Sequence, residues 1–502
     1  MAYDSFKELL KSQSKDRGNN TFIIEPNTKK EITFLEFNDE VERISDFLNK
    51  LNINKQDKVA LFMENGIEYA ESFFGVTYDN KIAVPVNLSY KENELKYLLD
   101  DADIRFLITT KSIYERTQNI LTNTFSFTTR EIGIRDLLVL EREEYRGDKV
   151  ENQELALILY TSGTTGNPKG VMLTQKNLLS EAEHIIEAHK LTDKDTVLCS
   201  LPLFHINGLV VTLITPLTTG MRLIMPPKFS ASKFWKNVDN YKVTWISAVP
   251  TIYSILLSKE FDKTLDYSSL RFARSASAPL PIAVLKEFES RYNVPIIETF
   301  GISEGGSQIA SNPLPPQKTK VGSVGLGFGN EIKIINDNSE FLPAREEGEI
   351  IVRGDNIAQG YLNKEKETKS SFLDGWFHTG DLGYLDEEGY LFISGRKKEL
   401  INRAGEKFSP REIDEVLYQI PQIELAAAVG VPDPMYNEEV VAYVKLRDSE
   451  NLTEDYIINY CKDRLANFKV PKRVFFTDDF PKGPSGKIQR LKFIDRYKKE
   501  NL

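Results

Sequence analysis

Tyr160-Thr161-Ser162-Gly163-Thr164-Thr165-Gly166-Asn167-Pro168-Lys169-Gly170 is the stretch from which the fold and chemistry of this chain can be read. An apolar run, Leu155 to Leu159, precedes it, and Val171-Met172-Leu173 follows. Serine and threonine hydroxyls, three glycines and a lysine are packed between two apolar strands. Glycines let backbone N–H groups approach a phosphate closely, and hydroxyls and an ammonium add further donors. No placement of Gly163 or Gly166 satisfies the GxxxxGK[ST] spacing of a Walker loop. A plain flexible loop is the competing reading.

Working outward, strand and helix patterns alternate over most of the chain. Thr33 caps an amphipathic helix carrying Val41, Ile44, Leu48 and Leu51. Lys58 to Phe62, Ile82 to Val86 and Ile104 to Ile108 read as strands, with helices to about Asp79 and over Asn93 to Leu99 between them. Thr244 to Val249 and Val294 to Glu298 continue the pattern. Repeated βα units predict a largely parallel α/β sheet. After about Gly322 the texture changes to short alternating strands, Ile332 to Ile335, Gly348 to Val352 and Tyr390 to Ile393, which predict a small antiparallel, barrel-like subdomain. From Glu399 on, short helices and strands mix. The expected fold is therefore α/β. It has a large N-terminal domain over residues 1–395, a hinge at 396–398 and a small mobile α+β domain over 399–502.

Composition narrows the classes. Of 502 residues, 41% are hydrophobic and 27% charged, ordinary for a globular protein and foreign to disordered or collagen-like chains. The net charge of −10 argues against a general nucleic-acid binder. Two distant cysteines, Cys199 and Cys461, fit neither a disulfide framework nor a zinc site and suit a reducing compartment. The polar start carries no apolar signal core, and Leu209 to Met225 is too interrupted to span a membrane. A cytoplasmic protein is expected. Between Lys462 and Lys499, 12 Lys/Arg face 4 Asp/Glu, either a solvated surface or one that meets phosphates.

Further motifs follow the glycine-rich stretch in order: Leu203-Phe204-His205-Ile206-Asn207-Gly208, Thr299-Phe300-Gly301-Ile302-Ser303-Glu304, Trp376 to Asp381, Gly395-Arg396-Lys397-Lys398-Glu399 and Pro484-Ser485-Gly486-Lys487-Ile488. Together they resemble the phosphate loop, aromatic gate, Tyr-Gly-x-Thr-Glu motif (here with Phe and Ser), Thr-Gly-Asp motif, hinge and C-terminal lysine loop of the adenylate-forming enzymes. The resemblance covers essentially the whole chain. It implies an AMP-forming acyl-CoA synthetase. ATP and a carboxylic acid give an acyl-adenylate and pyrophosphate, and the acyl group then passes to CoA.

The resemblance also implies roles. Thr161, Ser162, Gly163, Thr164, Thr165, Gly166 and Lys169 would hold the β- and γ-phosphates. Glu304, with Thr161, would hold Mg²⁺, which prefers oxygen ligands. Ser303 would add a hydroxyl near the phosphate. Ala276, Ser277, Ala278, Phe300 and Gly301 would enclose the adenine, with Glu298 where a base-reading residue sits and Ile393 in the nucleotide site. Asp381 would accept the ribose hydroxyls beside Arg396. Lys487 would reach the carboxylate and α-phosphate as a compact point charge. Lys398 would be the hinge. Rotation would then bring Ala404, Gly405 and Lys407 to a pantetheine tunnel. His205 stands where amino-acid-activating members carry an aspartate, which excludes α-amino acids, and it is a gate or carboxylate donor.

The nearest branch resembles oxalate–CoA ligase. Its carriers are Lys233-Phe234-Trp235, Trp245 to Thr251, Arg274-Ser275, Ser311 to Pro315, Ile401 to Pro410, Lys469 to Phe475 and Ser485 to Arg490. Asn207 and Ser307 stand where that branch carries histidines. Two candidate cationic donors are thereby replaced by neutral ones, which points away from oxalate to another acid, such as a monocarboxylate with a polar or small apolar tail. The expected acid pocket is His205, Asn207, Trp245, Ser247, Ser275, Ile302 and Ser307. An acidic carrier protein is the alternative acceptor to CoA. A luciferase-like oxygenase has no specific support. A non-catalytic nucleotide binder would not need Lys487, Glu304, Asp381 and Arg396 intact. Gly322 to Gly329 lacks the strand–loop–helix setting of a dinucleotide fingerprint.

Overall fold

The computed structural model describes residues 3–147, 154–161, 168–260, 262–447, 450–483 and 488–501. The apolar run at Leu155–Thr161 (β1) and the run at Lys169–Thr174 (β2) pair antiparallel, with Tyr160 opposite Gly170 and Thr161 opposite Lys169. The two strands form a hairpin, and the connecting residues 162–167 of the glycine-rich stretch lie outside the described residues. This hairpin belongs to an eight-stranded sheet whose centre, β1 with Ile82–Pro85, Lys58–Leu61 and Phe106–Thr110, is parallel. Its margins are antiparallel, so the expectation of a largely parallel sheet holds for the middle alone.

A nine-stranded sheet runs beside it. Trp245–Ala248 (β3), Phe272–Ser275 (β4) and Ile296–Phe300 (β5) are parallel neighbours in that sheet, with Ser247 beside Arg274 and Ser275 beside Glu298. All three are buried along their whole length, as continuous apolar runs in a sheet covered on both faces should be. Their carboxyl ends lie together, and in open α/β sheets that is where ligands bind. The helix Phe34–Lys50, second in the chain, shows the expected Thr33 cap, completed by Glu36 as a capping box. Such a cap stabilises a helix by about 1 kcal/mol.

The small antiparallel sheet has five strands, Asn330–Ile335, Gly348–Gly354, Phe372–Leu373, Trp376–Leu385 and Leu391–Arg396. Its pairings do not close into a ring among the described residues. A further sheet, built from Ile401–Arg403, Glu406–Phe408, Ile423–Asp433, Asn437–Leu446 and Arg473–Phe476, has its own apolar core around Ile413, Leu417, Ala428 and Val444. Helix Pro410–Leu417 (α1) turns from it towards the carboxyl ends of β3–β5. There Glu415 accepts from the Ile282 N–H at 3.5 Å, and Arg447 pairs with Glu287 at 3.0 Å.

Candidate active site

The strand ends of the hairpin are anchored from behind. Tyr160 Oη donates to Asp101 at 2.6 Å, and Tyr97 Oη donates to the Pro168 carbonyl at 3.1 Å. Lys169 Nζ lies 4.8 Å from the centre of the Tyr361 ring, and Tyr361 Oη donates to Glu304 Oε1 at 2.8 Å. Burial, reinforced by that carboxylate, pushes the Tyr361 phenol far up, so it stays a donor. Lysine, tyrosine and glutamate thus form one wall.

Glu304 sits on a short turn, Ser303–Gly305, just beyond β5. The chain from Gly301 to Gln308 doubles back so tightly that a Cβ on Gly301 would lie 1.3 Å from the Ser307 carbonyl oxygen. Ile309 N–H closes the turn onto the Phe300 carbonyl at 2.7 Å. Behind it, Glu181 accepts from Gln308 N–H at 2.5 Å, and Asn356 Nδ2 donates to Glu181 and to the Gly305 carbonyl, both at 2.8 Å. The turn that carries Glu304 is therefore held by a buried polar frame.

Two cavities meet here. One, of about 190 Å³, is lined by Ser277, Ala278, Glu298, Phe300, Gly301, Asp381, Ile393 and Arg396, together with Arg411, Glu415 and Tyr418 from and beside α1. The other, of about 510 Å³, is lined by Thr161, Lys169, His205, Asn207, Ala276, Ile302, Ser303, Glu304, Ser307, Tyr361, His378 and Lys398. Val249, Ser277, Gly301 and Arg396 line both, so the two are one connected space.

In the first cavity Asp381 and Arg396 face each other on paired strands, Nε to Oδ1 at 2.7 Å. Glu298 is 3% exposed, and its Oε1 has no hydrogen-bond partner among the described residues. Burial pushes its carboxyl up to about 7, with the Arg411 charge offsetting part of that rise. A buried acceptor of this kind suits an exocyclic amine.

Some expected residues lie elsewhere. Trp245 does not reach either cavity. It begins β3, roughly 10 Å along a strand rising ~3.3 Å per residue from the site end, and it stacks on Phe272 with ring centres 5.7 Å apart. Ser247 and Ser275 are fully buried behind the lining. Ala404 and Gly405 form the turn between Ile401–Arg403 and Glu406–Phe408, and Lys407 lies on the second of these strands, all away from both cavities, with nothing within 4 Å of a Cβ built on Gly405. Ile488 lines the first cavity. Ser162, Gly163, Thr164, Thr165, Gly166 and Lys487 lie outside the described residues. Tyr361, Arg274, Gln308 and Arg411 were not expected. Tyr361 comes from a two-residue strand with no periodic signature, and the others reach the site from separate segments.

Residues 10–362 match the model of the AMP-binding enzyme family, and residues 412–487 match that of the AMP-binding enzyme C-terminal domain. The chain belongs to the AMP-binding enzyme family. Among its relatives in this family are the oxalate–CoA ligase of Arabidopsis thaliana, 39% identical over 91% of this chain and 92% of that one, and the sulfoacetate–CoA ligase of Cupriavidus necator, 35% identical over 98% of each. Similar solved structures include the anthranilate CoA ligase AuaEII with anthranoyl-AMP (TM-score 0.88, 26% identity, 100% of this chain and 98% of that one). Another is the O-succinylbenzoate coenzyme A synthetase of Bacillus subtilis with ATP and magnesium ion (TM-score 0.81, 29% identity, 96% and 98%). This AMP-binding enzyme is an acid–thiol ligase that uses ATP, Mg²⁺ and CoA. Among the described residues no cluster of three or more His, Cys, Asp or Glu could enclose a metal. A single carboxylate, Glu304, suits Mg²⁺, which keeps waters and takes its other oxygens from nucleotide phosphates. No described helix is long and apolar enough to cross a membrane.

Proposed function

We propose that this ligase adenylates a small carboxylic acid in the larger cavity, using ATP whose adenosine lies in the smaller one. The observation that carries this reading is their junction at Ser277, Gly301 and Arg396, which lets an acid carboxylate meet an α-phosphate. Asp381 receives the ribose hydroxyls, and Arg396 holds that carboxylate in place. Phe300, Gly301, Ser277 and Ala278 flank the base, and the free Glu298 Oε1 accepts from its amino group.

Attack of a carboxylate on a phosphate brings two anions together, so charge stabilisation is the main task. Lys169 and the glycine-rich stretch hold the β- and γ-phosphates. Glu304, oriented by Tyr361, is the residue that would hold Mg²⁺, with Thr161 beside it; the ion supplies charge neutralisation. Lys487 contacts the reacting oxygens, and His205 borders the acid. Lys398 is the hinge about which residues 399–502 turn, bringing Gly405 to the thiol channel for the second step. The exposed, unhindered Gly405 turn is consistent with an element that docks in only one of two arrangements.

The relatives that act on oxalate and sulfoacetate take acids with a second anionic group, which supports the same class here over a plain monocarboxylate. CoA is the favoured acceptor. The basic C-terminal segment would also suit an acidic carrier protein. Two buried free cysteines fit a cytoplasmic setting.

The test is mass spectrometry of the protein with ATP, Mg²⁺, CoA and a pool of small acids. An acyl-CoA product is expected. Acyl-adenylate and AMP without a thioester would move the acceptor to a carrier protein, and no acid-dependent AMP would refute the ligase reading.

A further inference from the structure

Arg274 ends up fully buried at the site end of β4, directly behind the acid cavity. Its hydrogen bonds go to neutral acceptors: Asn207 Oδ1 and Ser247 Oγ at 3.1 Å each, and Gln308 Oε1 at 3.3 and 3.4 Å. No described carboxylate forms an ion pair with it. The nearest influential anion, Glu181, is reached through Gln308, whose side chain faces Arg274 while its backbone N–H faces Glu181. Burial lowers the guanidinium to about 10, which leaves it charged at neutral pH. His189, buried nearby, is kept neutral by burial and by that same charge.

A guanidinium has donors and no acceptor. It can face only the oxygen of the Asn207 amide. Ser247 Oγ donates to that same oxygen at 3.2 Å. The Asn207 amide is therefore fixed in one sense, with Nδ2 turned to Ser277 Oγ at 3.3 Å. Asn207 also opens a stretch of π-helix, Asn207–Ile214, a local widening that recurs at functional sites.

We propose that Arg274 is a positioning residue for substrate choice: it locks Asn207 as a one-way donor in the wall of the acid cavity and places a positive charge behind it, so that the site selects small acids bearing a second anionic oxygen group. This rests on the ligase reading above and assigns its selectivity to a residue that does not touch the acid. The cation missing from the gate motif is supplied from beneath.

The test is acid-dependent ATP–pyrophosphate exchange by the whole protein, with oxalate and sulfoacetate set against acetate and propionate. The wild type is expected to favour the anionic-tailed acids by about tenfold or more in kcat/KM, as sites built around a specific polar partner do. Arg274→Met is expected to lose at least ten times more on those acids than on the monocarboxylates, mainly through KM, with Arg274→Lys recovering part of the loss. Equal losses on both classes, or a wild type that prefers monocarboxylates, would overturn the proposal while leaving the ligase intact. Exchange with no acid at all would overturn the ligase reading itself. If Arg274→Met melts, Asn207→Asp decides. It keeps the shape, gives Arg274 an ionic partner and removes the donor, so it must abolish the preference, and an unchanged preference refutes the role.

Discussion

A methyl group on Gly301 is the smallest change that should dismantle the adenylation site. The Cβ would lie 1.3 Å from the Ser307 carbonyl oxygen and 2.4 Å from its carbon. Restoring ordinary contact needs about 2 Å of movement, and overpacking of this kind costs roughly 1–3 kcal/mol or more. The clash is with backbone, so no side chain can swing aside. Gln308 and Gly305 are held by Glu181 and Asn356, so the strain must pass into the turn that carries Ser303 and Glu304. A misplacement of about 1 Å in a catalytic group lowers rate by roughly a hundredfold. Gly301→Ala should therefore lose ATP–pyrophosphate exchange by about a hundredfold or more, with a modest fall in melting temperature. The assay is exchange with a saturating acid, run beside a thermal melt and beside Gly405→Ala, whose added Cβ meets no neighbour and whose only cost is backbone strain at φ +93°. Exchange within threefold of wild type for Gly301→Ala would refute the reasoning, because it would mean that the turn relaxes without moving Glu304.

Other outcomes follow from the same geometry. Lys487→Ala is expected to remove adenylation and spare thioester formation from supplied acyl-adenylate; equal loss of both half-reactions would sink the two-arrangement assignment. Gly405→Leu is expected to do the reverse, read by the same pair of assays. Tyr361→Phe removes the hydroxyl that fixes Glu304 and should raise the Mg²⁺ concentration needed for half-maximal exchange several-fold; an unchanged Mg²⁺ titration would deny it that part. Burial raises Glu298 from 4.5 to about 7, so between those pH values the unfolded chain holds fewer protons than the folded one. Stability contributed by this group is therefore present below pH 4.5 and lost as pH rises to 7, by up to about 3 kcal/mol. Glu298→Gln should melt like wild type at pH 4 and higher than wild type at pH 8, and parallel melting curves across pH would contradict it.

The strands flanking the glycine-rich stretch, the Glu304 turn, Asp381 and Arg396 were legible because each lies within a short motif whose residue types state its chemistry. Trp245 was misplaced because a strand buried on both faces carries no alternation, so its sequence does not say how far along it the site lies. The Gly405 turn lies away from both cavities, and nothing in its short sequence states a distance from the site. Arg274 was noted as a carrier of the branch resemblance but given no role, for a different reason. It is 67 residues from Asn207, 27 from Ser247 and 34 from Gln308, and its meaning comes from their meeting. Reading the gate motif alone counted two lost histidines and no cation. The fold places the cation one layer deeper.

The glycine-rich stretch joins two antiparallel strands, and this shapes how the enzyme must sense its nucleotide. A phosphate loop that opens a helix has a standing partial charge behind it, whereas strand dipoles nearly cancel. In the proposed arrangement the triphosphate meets the Lys169 ammonium and an ion that Glu304 would hold, both carried at strand ends and turns. Nucleotide affinity is then set by charges that come and go with the solution. The apparent Kd for ATP should follow free Mg²⁺ steeply and weaken with added salt, which would make this ligase responsive to the ionic state of its surroundings as well as to its acid.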